Sequence, residues 1–98
     1  MIIRSKAPLR IGLAGGGTDV SPYSDMYGGA ILNATIDLYA YASLEPLDNG
    51  KIEFVIDGSD KSLVVDSSEE LTIQSGFELF IGVYNRVVKQ FSKKPLSF

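Results

Sequence analysis

The 98 residues hold 12 Asp+Glu against 9 Lys+Arg, a net charge of −3, with neither cysteine nor histidine. Their 45% hydrophobic and 21% charged content fits one soluble globular domain. It excludes disulfides, thiolate zinc sites, cysteine nucleophiles, Ser-His-Asp catalysis and imidazole–metal chemistry. Chemistry must therefore rest on carboxylates, cations, hydroxyls and backbone amides, and the acidic balance argues against nucleic acid as a partner. No stretch approaches the ~20 apolar residues of a membrane span. The N-terminus lacks the charge-then-apolar order of a signal peptide, so no membrane partner and a cytoplasmic location are expected.

Ile2–Lys6 and Leu9–Leu13 read as two short strands separated at Pro8, which cannot donate to a ladder. Gly15-Gly16-Gly17 breaks regular structure, and Thr18–Tyr27 is polar and aromatic, with room for one helical turn after Pro22. From Ala30 to Leu44 every even position is apolar, whereas the odd face carries Asn33, Thr35, Asp37, Tyr39, Tyr41, Ser43 and Glu45. Period two predicts a strand. At ~3.3 Å per residue a straight strand of this length exceeds a domain of radius ~13 Å, so a bend or bulge is expected near Thr35–Asp37.

Asp48-Asn49-Gly50 predicts a two-residue hairpin joining this strand to Lys51–Ile56. Asp57-Gly58-Ser59-Asp60 then turns into Leu63–Val65, giving an antiparallel meander. Beyond it Phe77, Phe80, Ile81, Tyr84, Val88 and Phe91 follow helical spacing, and Ser75 with Glu78 matches a capping box. The helix is expected over 75–91, ended by Pro95, with Leu96-Ser97-Phe98 opening another strand. The fold class expected is α+β, an antiparallel sheet with a helix.

Six of the ten glycines fall in the first 29 residues, and between Ala7 and Gly50 the only cation is Arg10. Gly12 and Gly17 have P-loop spacing, but Thr18 stands where the lysine belongs and Asp19 places negative charge where anions should bind. Dinucleotide-type spacing is absent. A glycine loop ending in Thr18-Asp19 suits neutral polyol hydroxyls: a carboxylate accepts two hydroxyl hydrogen bonds, and glycines permit close approach. Arg10 can stabilise negative charge developing nearby; its plainer role is an ion pair with Asp19 or Asp37. A sharp turn at a strand end is the plainer role of the glycines.

The run Leu9-Arg10-Ile11-Gly12-Leu13-Ala14-Gly15-Gly16-Gly17-Thr18-Asp19, followed by Gly28-Gly29 and Ile36-Asp37, resembles the first motif of the GHMP kinases. The resemblance spans about Ile2–Tyr41 and extends weakly to Phe98. It implies the N-terminal part of a ribosomal protein S5 domain 2-like fold and transfer of the γ-phosphoryl group of ATP, with Mg2+, to a small-molecule hydroxyl. Arg10 falls on the family's active-site arginine and Asp19 on its sugar-binding aspartate, with Gly16, Gly17 and Thr18 beside it as substrate-binding positions. Galactokinases carry Glu-His where Gly16-Gly17 stands. The form here is similar to the D-glycero-D-manno-heptose 7-phosphate kinase branch and to the fucokinase branch. The resemblance therefore implies phosphorylation of the anomeric hydroxyl of that heptose phosphate.

The family's second motif, P-x-x-x-G-L-G-S-S, which holds the ATP phosphates at a helix N-terminus, has no match in the chain. Residues 1–98 are accordingly expected to be a partial N-terminal kinase domain ending before that motif. Its partners would be the sugar phosphate and the remainder of a kinase chain, and the 98 residues alone would be inactive. The alternatives are another GHMP sugar kinase, fucokinase- or galactokinase-like, and a non-enzymatic S5-like RNA-binding module. The basic cluster Arg86–Lys94 supports the last, though a solvated helix end explains it more simply.

Overall fold

The computed structural model describes all 98 residues. The architecture is α+β, with two separate two-stranded sheets. The chain divides into two compact units, residues 3–43 on one side and residues 44–98 with Met1 and Ile2 on the other.

Residues 3–43 hold strand β1 (Ile3–Ala14), a short helix α1 (Tyr23–Tyr27) and strand β2 (Leu32–Leu44), whose last residue falls in the other unit. β1 pairs with β2. Gly15, just past the end of β1, lies against Ala30, just before β2. Near the other ends of the two strands the Lys6 ammonium sits 4.7 Å from the centre of the Tyr39 ring. The strands therefore run antiparallel. The expected division at Pro8 does not occur: β1 is one strand of 12 residues. In a two-stranded sheet both strands are edges, so a proline can turn its donorless nitrogen outward without costing a ladder bond.

β2 is one strand of 13 residues that continues through Thr35–Asp37. Its apolar face is largely uncovered. Leu32 and Leu38 are about 60% exposed (60% and 61%), and of the apolar face only Ile36 is half-buried.

The core lies in the second unit. Strand β3 (Lys51–Val55) pairs antiparallel with β4 (Ser62–Asp66), with Lys51 opposite Asp66 and Val55 opposite Ser62. Alternation buries Ile52 and Phe54 and leaves Lys51, Glu53 and Val55 exposed. Helix α2 (Glu78–Val87) and a π-helical turn (Val88–Ser92) lay Ile81, Tyr84 and Val88 on that face, joined by Leu71 and Phe77. The three-four spacing of these residues puts them on one side of the helix.

Four expectations for this unit are corrected: the hairpin, the meander, and the start and end of the helix. Asn49-Gly50 does not form a hairpin between β2 and β3, because β2 belongs to the other sheet. A two-residue hairpin needs strands flush with the turn, but Pro46 intervenes and the Leu47 N–H is spent on the Ser97 carbonyl at 3.0 Å. Asn49 Oδ1 instead accepts the Lys51 N–H at 3.0 Å, and Gly50 turns at φ 68°. The expected meander reduces to the β3–β4 hairpin. The helix begins at Glu78 rather than Ser75, with Phe77 at the N-cap and no side-chain cap. Glu78 Oε2 accepts the Gly76 N–H at 2.9 Å. Half of the capping box thus forms one residue out of register, since Gly76, at φ 86°, makes the turn. The Glu78 carboxyl is held below its ordinary range by its own backbone N–H and then by that of Gly76. The helical run stops at Lys93, left-handed at φ 55°, before Pro95 is reached.

The last residues close β3 on its free side, as a strand opening would. The Glu53 N–H donates to Phe98 at 2.8 Å, and the Phe98 ring meets Phe54 edge-on at 5.9 Å. Tyr84 ties three segments together: its hydroxyl donates to the Ser68 carbonyl at 2.6 Å and accepts the Leu96 N–H at 3.1 Å. Neither helix is long and apolar enough to cross a membrane.

Lys51 and Asp66, opposite each other in the register, form the one ion pair of the structure, at 2.5 Å. The hydrogen bond from Lys51 and then its charge hold the Asp66 carboxyl below its ordinary value. A lowered folded-state pKa stabilises above the unfolded value and is lost as pH falls through the folded one. Lys51→Met is therefore expected to raise the Asp66 titration midpoint and flatten the acid dependence of stability. A carboxyl NMR titration that is unchanged in the variant would contradict the pairing.

Candidate functional site

β1 delivers Arg10 and Gly12 to its C-terminal half, and the chain then leaves the strand through three glycines. The Thr18 N–H closes back on the Gly15 carbonyl at 3.1 Å. Gly17, at φ 90°, supplies the positive φ that a type II turn needs at its third position. The turn packs against the segment leading into β2 with no space for side chains. A β-carbon on Gly15 would sit 2.1 Å from the Ala30 oxygen, and one on Gly29 would sit 2.0 Å from the Thr18 oxygen. Both distances lie far inside van der Waals contact, so glycine is dictated at each position.

Beside this junction a cleft of about 400 Å³ opens, bordered by Arg10, Gly12, Gly16, Gly17, Asp19 and Asn33. The structure thus brings Arg10 together with Gly16, Gly17 and Asp19, as the sequence suggested. It does not pair Arg10 with Asp19 or Asp37: no ion pair joins them. Arg10 and Asp19 both border the cleft without a salt-bridge partner. Gly16 and Gly17 have nothing within 4 Å of where a β-carbon would stand, so that wall is open backbone.

Thr18 is placed differently from its neighbours. Its hydroxyl lies 2.8 Å from the Gly15 carbonyl and 3.0 Å from the Ala30 carbonyl, and it accepts the Ala30 N–H at 3.1 Å. Asn33, on the polar face of β2, borders the cleft and was not singled out from the sequence. Its one visible signal was a polar amide among the odd positions just after Gly28-Gly29.

One carboxylate, one guanidinium and one carboxamide stand there beside exposed glycine backbone and the apolar side chains of Leu13, Ala14, Ile31 and Leu32; the polar groups offer donors and acceptors to hydroxyls. No group of three or more metal-ligating side chains comes together anywhere in the structure. Arg10 is the one cation at the cleft.

No family model matches the chain. Among curated proteins it is 47% identical over 96 residues to D-glycero-alpha-D-manno-heptose 7-phosphate kinase of Campylobacter jejuni subsp. jejuni serotype O:2, a match covering 98% of this chain and 28% of that protein. Among solved structures it superposes on a D-glycero-D-manno-heptose 1-phosphate kinase from Bacteroides thetaiotaomicron with TM-score 0.84 and 50% identity, over 100% of this chain and 32% of that one. A Campylobacter jejuni protein described as a sugar kinase gives TM-score 0.78 and 46% identity, over 99% of this chain and 31% of that one. The proteins that this chain resembles are thus heptose phosphate and sugar kinases, as the motif suggested. The chain spans about a third of their length or less.

The glycines separate into two kinds with opposite expected responses. Gly29→Ala should destabilise by about 1–3 kcal/mol, the cost of overpacking against rigid backbone. Gly16→Ala should fall within about 0.5 kcal/mol of the parent, since it meets open space without positive φ. Thermal unfolding of both variants checks the pair, and equal losses would contradict the close approach at Gly29.

Proposed function

We propose that the chain is the sugar-binding part of an ATP- and Mg2+-dependent GHMP kinase that phosphorylates the anomeric hydroxyl of D-glycero-D-manno-heptose 7-phosphate. The observation carrying this reading is the cleft in which Arg10 and Asp19 face one ligand volume, found in a chain 47% identical across 98% of its length to a heptose 7-phosphate kinase. On the same reading residues 1–98 are part of an N-terminal domain of the ribosomal protein S5 domain 2-like kind. The motif for the ATP phosphates lies outside these residues, and the enzyme is cytoplasmic.

In this mechanism Asp19 accepts hydrogen bonds from sugar hydroxyls. The open backbone at Gly16 and Gly17 lets the ring approach closely. Arg10 is the catalytic cation, aimed at the negative charge that develops as the γ-phosphoryl group passes to the sugar oxygen. ATP loses its terminal phosphoryl group to that oxygen, leaving ADP, and the hydroxyl proton departs to a base. No residue of this chain is assigned to ATP or Mg2+.

The missing side chains at Gly16 and Gly17 support the choice of substrate. A hexose site built on side-chain hydrogen bonds loses discrimination without them, whereas a longer phosphorylated sugar can use the space. The similar kinases are named for different phosphate positions, 7 in one and 1 in the other, so a test must include both heptose phosphates. With the complete enzyme, kcat/KM should favour the heptose 7-phosphate over the heptose 1-phosphate, galactose, fucose and mannose. Preference for an unphosphorylated hexose would sink the heptose assignment and leave the sugar-kinase class standing.

Asp19→Ala should lower turnover at fixed sugar by about ten- to a hundredfold, the range for lost hydrogen bonds to a charged group, while nucleotide affinity changes little. An equal fall in nucleotide affinity, measured by calorimetry, would show that Asp19 has been given the wrong role.

A further inference from the structure

Within residues 3–43 only Thr18, Ser24 and Ile36 are half-buried, and the rest are exposed. Thr18 is therefore one of the few side chains of this unit turned inward. Its neighbours Gly17 and Asp19 both border the cleft, and Thr18 does not. A hydroxyl has one proton and two lone pairs. Here the proton goes to the Gly15 or the Ala30 carbonyl, and one lone pair receives the Ala30 N–H. Little of the group is left for a ligand. The β-branched side chain restricts χ1 and keeps the hydroxyl aimed at these partners. The contact also spans 12 residues of sequence, joining the glycine turn to the entry of β2.

We infer that Thr18 is a positioning residue: its hydroxyl staples the Gly15–Asp19 turn to Ala30 and thereby fixes where Asp19 and the backbone of Gly16 and Gly17 stand in the cleft. The inference rests on the sugar-kinase reading for the identity of the ligand, but not for the staple itself. Gly15 and Gly29 complete the device. They let the two backbones come close enough for a single short side chain to reach both, and the staple holds them there. Because the turn carries cleft residues directly on either side of Thr18, loosening it displaces them without removing any group that touches the sugar.

The test compares Thr18→Val, which keeps the shape and removes the hydroxyl, with Thr18→Ser, which keeps the hydroxyl, in the complete protein. In ligand-free Thr18→Val the Ala30 amide should exchange with solvent about tenfold faster, one hydrogen bond's worth, and Gly16, Gly17 and Asp19 should shift in the NMR spectrum. Thr18→Ser should retain most of the protection. The KM for the heptose phosphate should rise several-fold in Thr18→Val and recover in Thr18→Ser, with the KM for ATP unchanged in both. Unaltered Ala30 exchange in ligand-free Thr18→Val overturns the inference, and a raised sugar KM beside it would make Thr18 a direct ligand. If Thr18→Val does not fold, Thr18→Ser decides alone: Ala30 protection kept supports the staple, protection lost overturns it. Absence of heptose phosphate turnover in the parent protein would defeat the kinase reading and leave the exchange result intact.

Discussion

Two stretches of backbone meet in this protein at a distance that no β-carbon permits. Gly29 faces the Thr18 carbonyl and Gly15 faces the Ala30 carbonyl, each within about 2 Å of where a side chain would begin (2.0 and 2.1 Å). Everything about the candidate site follows from that approach. It puts the end of β1 and the start of β2 side by side and fixes their antiparallel sense. It also brings Ala30 within reach of the Thr18 hydroxyl and leaves Arg10, Asp19 and Asn33 around one opening. The turn is held by backbone complementarity and a few hydrogen bonds rather than by a buried core.

The second unit is organised on the opposite principle. Ile52, Phe54, Leu71, Phe77, Ile81, Tyr84 and Val88 form a conventional core, and Phe98 closes it against Phe54 and Tyr84. Its polar tethers are satisfied in detail: no buried side-chain nitrogen or oxygen lacks a partner. Tyr84 and Asn85, adjacent on α2, bind the backbone at Ser68 and Leu71, so the loop before the helix is held by the helix itself. Like β2, α2 also leaves apolar side chains uncovered, with Leu79 and Val83 exposed on its outer side.

Much of this was legible in the sequence where the signal was local. The period-two runs gave β2 and β3, Asp57-Gly58 gave the turn into β4, and three-four spacing gave α2. What the residues could not convey was partnership. Alternation from Ala30 to Leu44 marks a face but not the strand that pairs with it, so the Asn49-Gly50 turn was assigned to the wrong pair. The π-helical turn and the start at Glu78 depend on Gly76 and Lys93 adopting positive φ, which composition does not dictate. At the site, Arg10, Gly16, Gly17 and Asp19 were found because charge is scarce and glycine dense around them. Asn33 escaped because one amide on a polar strand face has no distinguishing pattern. Thr18 was found, but its direction could not be: adjacent residues of a turn can face opposite ways, and only coordinates separate the one that lines a cleft from the one that pins it.

The charge count around the cleft sets a further condition on the proposed reaction. Phosphoryl transfer works by positioning the reactants and neutralising the negative charge spread over the transferring group. Arg10 is the single cation bordering the opening, and Asp19 beside it adds negative charge of its own. A nucleotide triphosphate and a sugar phosphate together bring several negative charges, which one guanidinium does not balance. For a neutral polyol the same surroundings are favourable, since hydroxyls need acceptors and room more than they need charge. Under the proposed function the cleft takes the hydroxyl-bearing end of the sugar, and Arg10 meets the γ-phosphoryl group only as it is transferred. On that reading the remaining cations for the two phosphates belong to the part of the relatives' length that this chain, spanning 28% of the curated one, does not cover.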